Sequence, residues 1–155
     1  MINNDVLRRL RYALNITDLK VIELFKLAGR EMARPELESY FKKEDEEGYA
    51  ECGDSVMEGL LAGLIVSRRG KRDDGAPRPP PDRTRLSNND ILKSLRIALE
   101  LKDDDFIAIM GLAGIELSKP ELTSFFRKPS QRNYRPCGDQ FLRNFLVGLT
   151  AKFRV

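Results

Sequence analysis

The sequence predicts an all-α protein built of two tandem, homologous four-helix units packed with approximate pseudo-two-fold symmetry. Three observations lead there. Residues 3–70 align without a gap on residues 88–155 at a constant offset of 85, with roughly two in five aligned positions identical. Within each copy, apolar residues recur at helical spacing. Nothing alternates apolar with polar as a half-buried strand does. A single copy of about 68 residues has too little interior to be comfortably stable alone, so the copies are expected to pack on each other.

The first helix carries Val6, Leu7, Leu10, Ala13 and Leu14 on one stripe, repeated as Ile91, Leu92, Leu95, Ala98 and Leu99, with Asn3 or Asn4 as the expected cap. A second helix starts near Thr17 and Asp18, or at residues 103–105, where short oxygen side chains and negative charge suit exposed amides. It ends at Gly29 or Gly114, a left-handed stop. The third begins at Pro35 or Pro120, with Ser118 and Glu121 at capping-box spacing, and is expected to reach about Lys43 or Lys128. The last helix is expected to be capped by Asp54 or Asp139. It buries Val56, Met57, Leu60, Leu61, Leu64 and Ile65, matched by Phe141, Leu142, Phe145, Leu146, Leu149 and Thr150.

The predicted organisation is therefore a first helical repeat over residues 1–70, a linker over 71–86 and a second repeat over 87–155. The linker mixes charges with Gly75, Pro77, Pro79, Pro80 and Pro81, a composition that favours an extended chain over a packed one.

Short strings echo between the copies, including Asn-Asn-Asp at 3–5 and 88–90 and Cys-Gly-Asp at 52–54 and 137–139. With these starts, the string Lys43, Glu44, Asp45, Glu46, Glu47, Gly48 in the first copy and the string from Cys137 to Arg143 in the second resemble the YehS-like family. These are small bacterial proteins of a duplicated domain of unknown function, and the resemblance covers nearly the whole chain. It implies a bacterial cytosolic protein and supplies no activity, ligand or catalytic residue.

Composition narrows the chemistry. The 155 residues are 41% hydrophobic and 33% charged, ordinary for a globular chain. There is no histidine, which removes the usual general base and the usual zinc or haem ligand. The longest apolar run, from Leu60 to Val66, is far short of the roughly 20 residues of a membrane span, so no membrane partner is expected. The N-terminal pattern is amphipathic and arginine-bearing without a signal-like apolar core, so the cytoplasm is the expected location. The net charge of +3 is modest, and the linker and second copy hold the basic excess.

The segments before the last helices differ most between copies. Copy one has Glu44, Asp45, Glu46, Glu47 and Glu51, whereas copy two has Arg132 and Arg135 among Ser130, Gln131 and Asn133. Carboxylates at this density suit a hard cation, but the ordered spacing and turn glycine of an EF-hand are missing, and a solvated acidic loop is the plainer meaning. Neither a metal nor a cofactor is expected. The acidic loop is instead expected to complement Arg132 and Arg135 of another half or another molecule.

Cys52 and Cys137 are expected to be buried small side chains; the alternative is a thiol activated by the dipole of the helix start each precedes, although neither has a histidine or a Cys-x-x-Cys partner. The second and third helices could form a helix-turn-helix, placing Lys42, Lys43, Arg127, Lys128, Arg132 and Arg135 near phosphates. Against this, the connection is long and Glu36 and Glu38 crowd the supposed recognition helix. Arg11 and Arg96 stand one position from the buried stripe in both copies, either tied to a carboxylate such as Asp54 or Asp139 or offered to an anionic ligand. Tyr49 and Tyr134 are expected to staple the chain entering the last helix. Together these features predict a non-enzymatic binding or regulatory module that uses surfaces on both repeats, with a protein partner or self-association. The alternatives are a nucleic-acid-binding regulator and, third, a thiol-dependent enzyme.

Overall fold

The computed structural model describes residues 1–70 and 85–154. The linker expected over 71–86 lies outside the described residues except for Arg85 and Leu86. The chain runs α1 (Asn3–Leu14), α2 (Asp18–Leu27), α3 (Arg34–Phe41), α4 (Asp54–Arg69), α5 (Asn88–Ala98), α6 (Asp103–Leu112), α7 (Lys119–Phe125) and α8 (Asp139–Phe153). Among the described residues there is no strand.

Local chemistry explains most of the boundaries. Thr17 caps α2 by accepting from the Lys20 amide at 3.2 Å. Gly29 and Gly114, both at φ 80°, turn the chain after α2 and α6 in the left-handed region that glycine enters without penalty. Ser118 and Glu121 form the expected capping box on α7.

Three expectations are corrected. Asn3 and Asn4 do not cap α1, whose N-cap is Ile2 with no side-chain bond; the counterpart helix α5 is capped by Ser87 in a box with Asp90. Asp54 and Asp139 are the first residues of α4 and α8, and the caps are Gly53 and Gly138. Helices α3 and α7 stop at Phe41 and Phe125, short of Lys43 and Lys128. The next turn is held by side chains: Glu46 Oε1 accepts from the Lys43 amide at 3.1 Å, and Gln131 Oε1 from the Lys128 amide at 2.8 Å. A helix continuing through Lys43 would have to give up that tie.

Within a unit the principal pairings are α2 with α4 and α6 with α8. Gly63 and Gly148 make these contacts close, since a methyl group at either would run into the backbone carbonyl of Leu24 or Ile109. Between units the pairing is crossed: α1 packs chiefly on α8, and α5 chiefly on α4. The first helix of each repeat thus rests on the last helix of the other, the reciprocity that a two-fold relation produces. One continuous core results, with Leu7, Leu24, Phe25, Met57, Leu92, Phe106, Met110 and Phe145 essentially inaccessible. Phe106 stacks on Phe145 at 4.5 Å between centroids and meets the edge of Phe126 at 5.7 Å.

Candidate functional site

The repeated Asn-Asn pair is the inner brace of each unit. The Asn4 side chain is wholly buried; its Nδ2 donates to the carbonyls of Tyr40 (3.1 Å) and Ala50 (2.9 Å), and its Oδ1 accepts from the Cys52 amide (2.8 Å). Asn89 makes the same three bonds to Phe125, Arg135 and Cys137 at 2.9, 2.9 and 2.8 Å. These amides clamp the loop between the third and fourth helices onto the first, satisfying groups that burial would otherwise strand. Asn3 and Asn88 continue the clamp outward to Asp54 Oδ1 and Asp139 Oδ1, both at 2.8 Å. Asp54 then accepts from the Leu86 amide at 3.1 Å, and Asp139 from the Met1 amino group, two contacts that the 85-residue offset makes equivalent. That amino group and Asn88 hold the Asp139 carboxyl below its usual range.

The same clamp buries the cysteines. Both are free thiols, and burial raises each to about 12. At Cys52 the Arg30 charge opposes the rise and Asp54 adds to it; at Cys137 Asp139 adds to it. Loss of hydration at these buried positions pushes both thiols away from the thiolate, against the pull expected of a helix start. Both side chains are buried in the core.

Arg11 and Arg96 find carboxylates, though not those expected. Arg11 pairs with Asp18 at 2.9 Å, and Arg96 with Asp103 at 2.6 Å, so the partner is the first residue of the following helix in place of Asp54 or Asp139. Each guanidinium also lies 4.7 Å from an aromatic ring, Phe41 or Phe126, at the end of the third helix. One arginine therefore joins three helices of its own repeat, and it stays partly exposed on the outer side.

That outer side is a groove, and it occurs twice. The larger, about 900 Å³, runs between α1 and the C-terminal half of α8. Arg8, Arg9, Arg11 and Arg154 bring positive charge to it, and Ile16, Phe41, Leu146, Val147 and Ala151 give it an apolar floor. Arg154 lies over the ring of Tyr12 at 3.9 Å and donates to Asn15 Oδ1 at 2.9 Å. The second groove, about 560 Å³, sits at the α5–α4 junction with Arg69, Lys93, Arg96, Ile97, Glu100, Leu101 and Phe126 at equivalent positions. There Arg69 pairs with Glu100 at 3.5 Å, the counterpart of Asn15, and Ile97 replaces Tyr12. The grooves share a plan and differ in charge: among the described residues no carboxylate lines the first, whereas Glu100 lines the second.

The remaining sequence candidates lie apart from these grooves or at their edge. Lys43, Glu44, Asp45, Glu46 and Glu47 are all exposed. Their loop begins at the rim of the first groove, where Arg8 donates to the Lys42 carbonyl at 2.6 Å. Partial burial and then Glu44 and Glu51 push the Tyr49 hydroxyl up, while Arg8 opposes them. Arg127, Lys128 and Arg132 are exposed on the equivalent loop of the second repeat. Arg135 pairs with Glu121 of its own repeat at 3.7 Å and lies 5.3 Å from the Phe125 ring. Six residues separate α2 from α3 and α6 from α7, longer than the 3–4-residue turn of a helix-turn-helix. Among the described residues no three His, Cys, Asp or Glu side chains converge to hold a metal ion. None of the described helices is long and apolar enough to cross a membrane.

Sequence reasoning missed Tyr12, Arg69 and Arg154 as groove residues, and Asn4 and Asn89 as buried braces. The identity of Arg69 with Arg154 and of Asn4 with Asn89 across the duplication was the available signal.

Comparison with known proteins agrees with the duplicated architecture. The model of a family described as a protein of unknown function, DUF1456, matches residues 3–70 and again 88–154. The chain is 43% identical over 155 residues to the uncharacterized protein YehS of Escherichia coli (strain K12), covering 100% of this chain and 98% of that relative. No solved structure matches. With one family match per repeat and a relative aligned end to end, this chain belongs to the DUF1456 family.

Proposed function

We propose that this chain is a non-catalytic binding or regulatory module that holds an anionic partner in the two basic grooves where its repeats meet. In this reading residues 1–70 and 87–155 are the binding repeats, residues 71–86 join them, and the setting is the bacterial cytoplasm. One observation carries it: the same arginine–aspartate–phenylalanine cluster, Arg11 with Asp18 and Phe41 and Arg96 with Asp103 and Phe126, backs each of the two basic grooves between the repeats. Guanidinium groups held by a carboxylate on one side and a ring on the other are oriented before a ligand arrives, which lowers the ordering cost of binding. Thiols buried and raised to about 12 count against the thiol-enzyme reading.

Nucleic acid is the second reading, favoured by the basic linings and disfavoured by the long connection before α3 and by Glu36 and Glu38 on it. A two-dimensional NMR titration with polyglutamate and with single-stranded oligo(dT), repeated at several salt concentrations, tests both. Amide shifts centred on Arg11, on Arg96 or on both are expected with at least one polyanion. Shifts confined to residues 43–51 and 128–136, or no shifts at low salt, refute the groove reading. A steep loss of oligo(dT) affinity with salt, with shifts in the grooves, moves the assignment to nucleic acid.

A further inference from the structure

We propose that the groove between α1 and α8 docks a short acidic peptide segment bearing apolar side chains, and that the α5–α4 groove does not. This rests on the reading of the grooves as recognition surfaces and narrows it to one groove and one class of partner. Charge complementarity is the first argument. Arg9 and Arg154 stand on the first groove with no carboxylate among its described lining residues, and Arg8 there pairs with Asp5 at 3.3 Å, whereas Arg69 in the second groove pairs with Glu100 of that groove's own lining at 3.5 Å.

The groove's apolar surface is the second argument. Tyr12 of α1 is 58% exposed and Val147 of α8 46% exposed, so a large side chain from each helix offers apolar surface to solvent in the same basic cleft. A phosphodiester backbone makes no use of that surface and a base stacks on Tyr12 alone, whereas a peptide that places leucine or phenylalanine on the floor and glutamate or aspartate against the arginines satisfies both halves of the lining.

The acidic loop supplies the third argument. Glu44, Asp45, Glu46 and Glu47 begin beside Arg8, at one rim of the groove. They repel a polyanion that runs on past the groove while leaving a short segment room to end there. The lining runs from Arg8 to Ile16 on one side and from Leu146 to Arg154 on the other, so a segment of about 9 residues, about 13 Å if helical, spans the site and a peptide of about 12 residues covers it.

The test is selection of a displayed library of random peptides of about 12 residues on the full chain, with counter-selection on Val147→Glu. Enriched peptides are expected to combine acidic and apolar residues. By fluorescence anisotropy the best of them is expected to lose about tenfold in affinity with Arg9→Glu and with Tyr12→Ala, a loss equivalent to ~1.4 kcal/mol. Lys26→Glu makes the same charge change on exposed surface outside both grooves and is expected to stay within about twofold of the parent. Circular dichroism melting of each variant confirms that the fold is retained. Enrichment of peptides without acidic residues, no enrichment, or equal binding by Val147→Glu each overturns the proposal. So does oligo(dT) binding the groove more tightly than the selected peptide. Salt-sensitive self-association abolished by Arg9→Glu in sedimentation also overturns it, because a second copy would then be the occupant. If oligo(dT) perturbs both grooves while no peptide is selected, this inference falls and the wider reading of the grooves stands.

Discussion

Asn4 is a buried brace, because its amide serves the Tyr40 carbonyl and the Cys52 N–H in the interior and the half-buried Ala50 carbonyl. Asn4→Ala leaves all three unpaired and is expected to cost about 3 kcal/mol, a fall in Tm of roughly 10 °C. Asn3→Ala, at a half-buried position, is expected to cost about 1 kcal/mol. Asn4→Asp is the sharper probe. Its carboxylate would face the carbonyls of Tyr40 and Ala50, so burial and repulsion raise its pKa in the folded state. The folded form then binds the proton more tightly than the unfolded form, and the variant is expected to be more stable at pH 5 than at pH 8 relative to the parent. Melting curves at the two values check it; an equal deficit at both would show that the carboxylate has escaped to solvent. The thiols give a second prediction with the same sign. Cys52 and Cys137 ionise near 12 when folded and near 9 when unfolded, so between these values the folded chain holds more protons. Their contribution is complete below pH 9 and is lost as pH rises toward 12. Denaturant melts of a Cys52→Ala, Cys137→Ala variant are expected to show a shallower decline above pH 9 than the parent, and the native parent is expected to resist a thiol reagent at pH 8 until unfolded.

At the scale of elements, two helical glycines, one inside α8 and one in the last turn of α6, make opposite predictions. Gly148 of α8 faces the Ile109 carbonyl, and a Cβ there has nowhere to go. Gly111 of α6 has no atom within 4 Å of that position. Gly148→Ala is expected to force α6 and α8 apart and cost about 3 kcal/mol, as overpacking against backbone does. Gly111→Ala is expected to stabilise by ~0.5–1 kcal/mol through helix propensity alone. Chemical denaturation of both settles the pair; equal effects would mean that α8 can slide on α6. Helices of this kind were legible in the sequence because the apolar period and the left-handed glycines 29 and 114 are local facts. The ends of α3 and α7 were not, since they depend on Glu46 and Gln131 reaching back to an amide three residues away. The role of Arg11 was half legible. Its repetition marked it, but its partner is Asp18, delivered by the left-handed turn at Asn15, φ 52°.

For the molecule as a whole, the crossed pairing decides how the two repeats depend on each other. The duplication made two packed units expected, but it hid which helices meet. The stripe Val6, Leu7, Leu10 resembles Ile91, Leu92, Leu95 too closely for sequence to say whether α1 prefers α4 or α8. In the structure α1 takes α8 and α5 takes α4, so either repeat alone exposes the face of its last helix that receives the other's first. A chain of residues 1–70 is then expected to be poorly helical and concentration-dependent, with non-cooperative melting, because burial lost at that face removes much of what a unit of this size can spare. Mixed in equal amounts with a chain of residues 85–155, it is expected to recover helicity and to sediment as a 1:1 complex, since both crossed interfaces can form without the covalent join. The same logic lets residues 1–70 pair with themselves at high concentration, α1 of one copy on α4 of another, as the two repeats do here. Circular dichroism and sedimentation across a concentration series separate these states. A monomeric residue 1–70 chain with a cooperative melt would show that α1 can fold back onto α4. The grooves, each formed where a first helix meets the other repeat's last, would then be contacts added to two self-sufficient domains and not a consequence of how the repeats are interlocked.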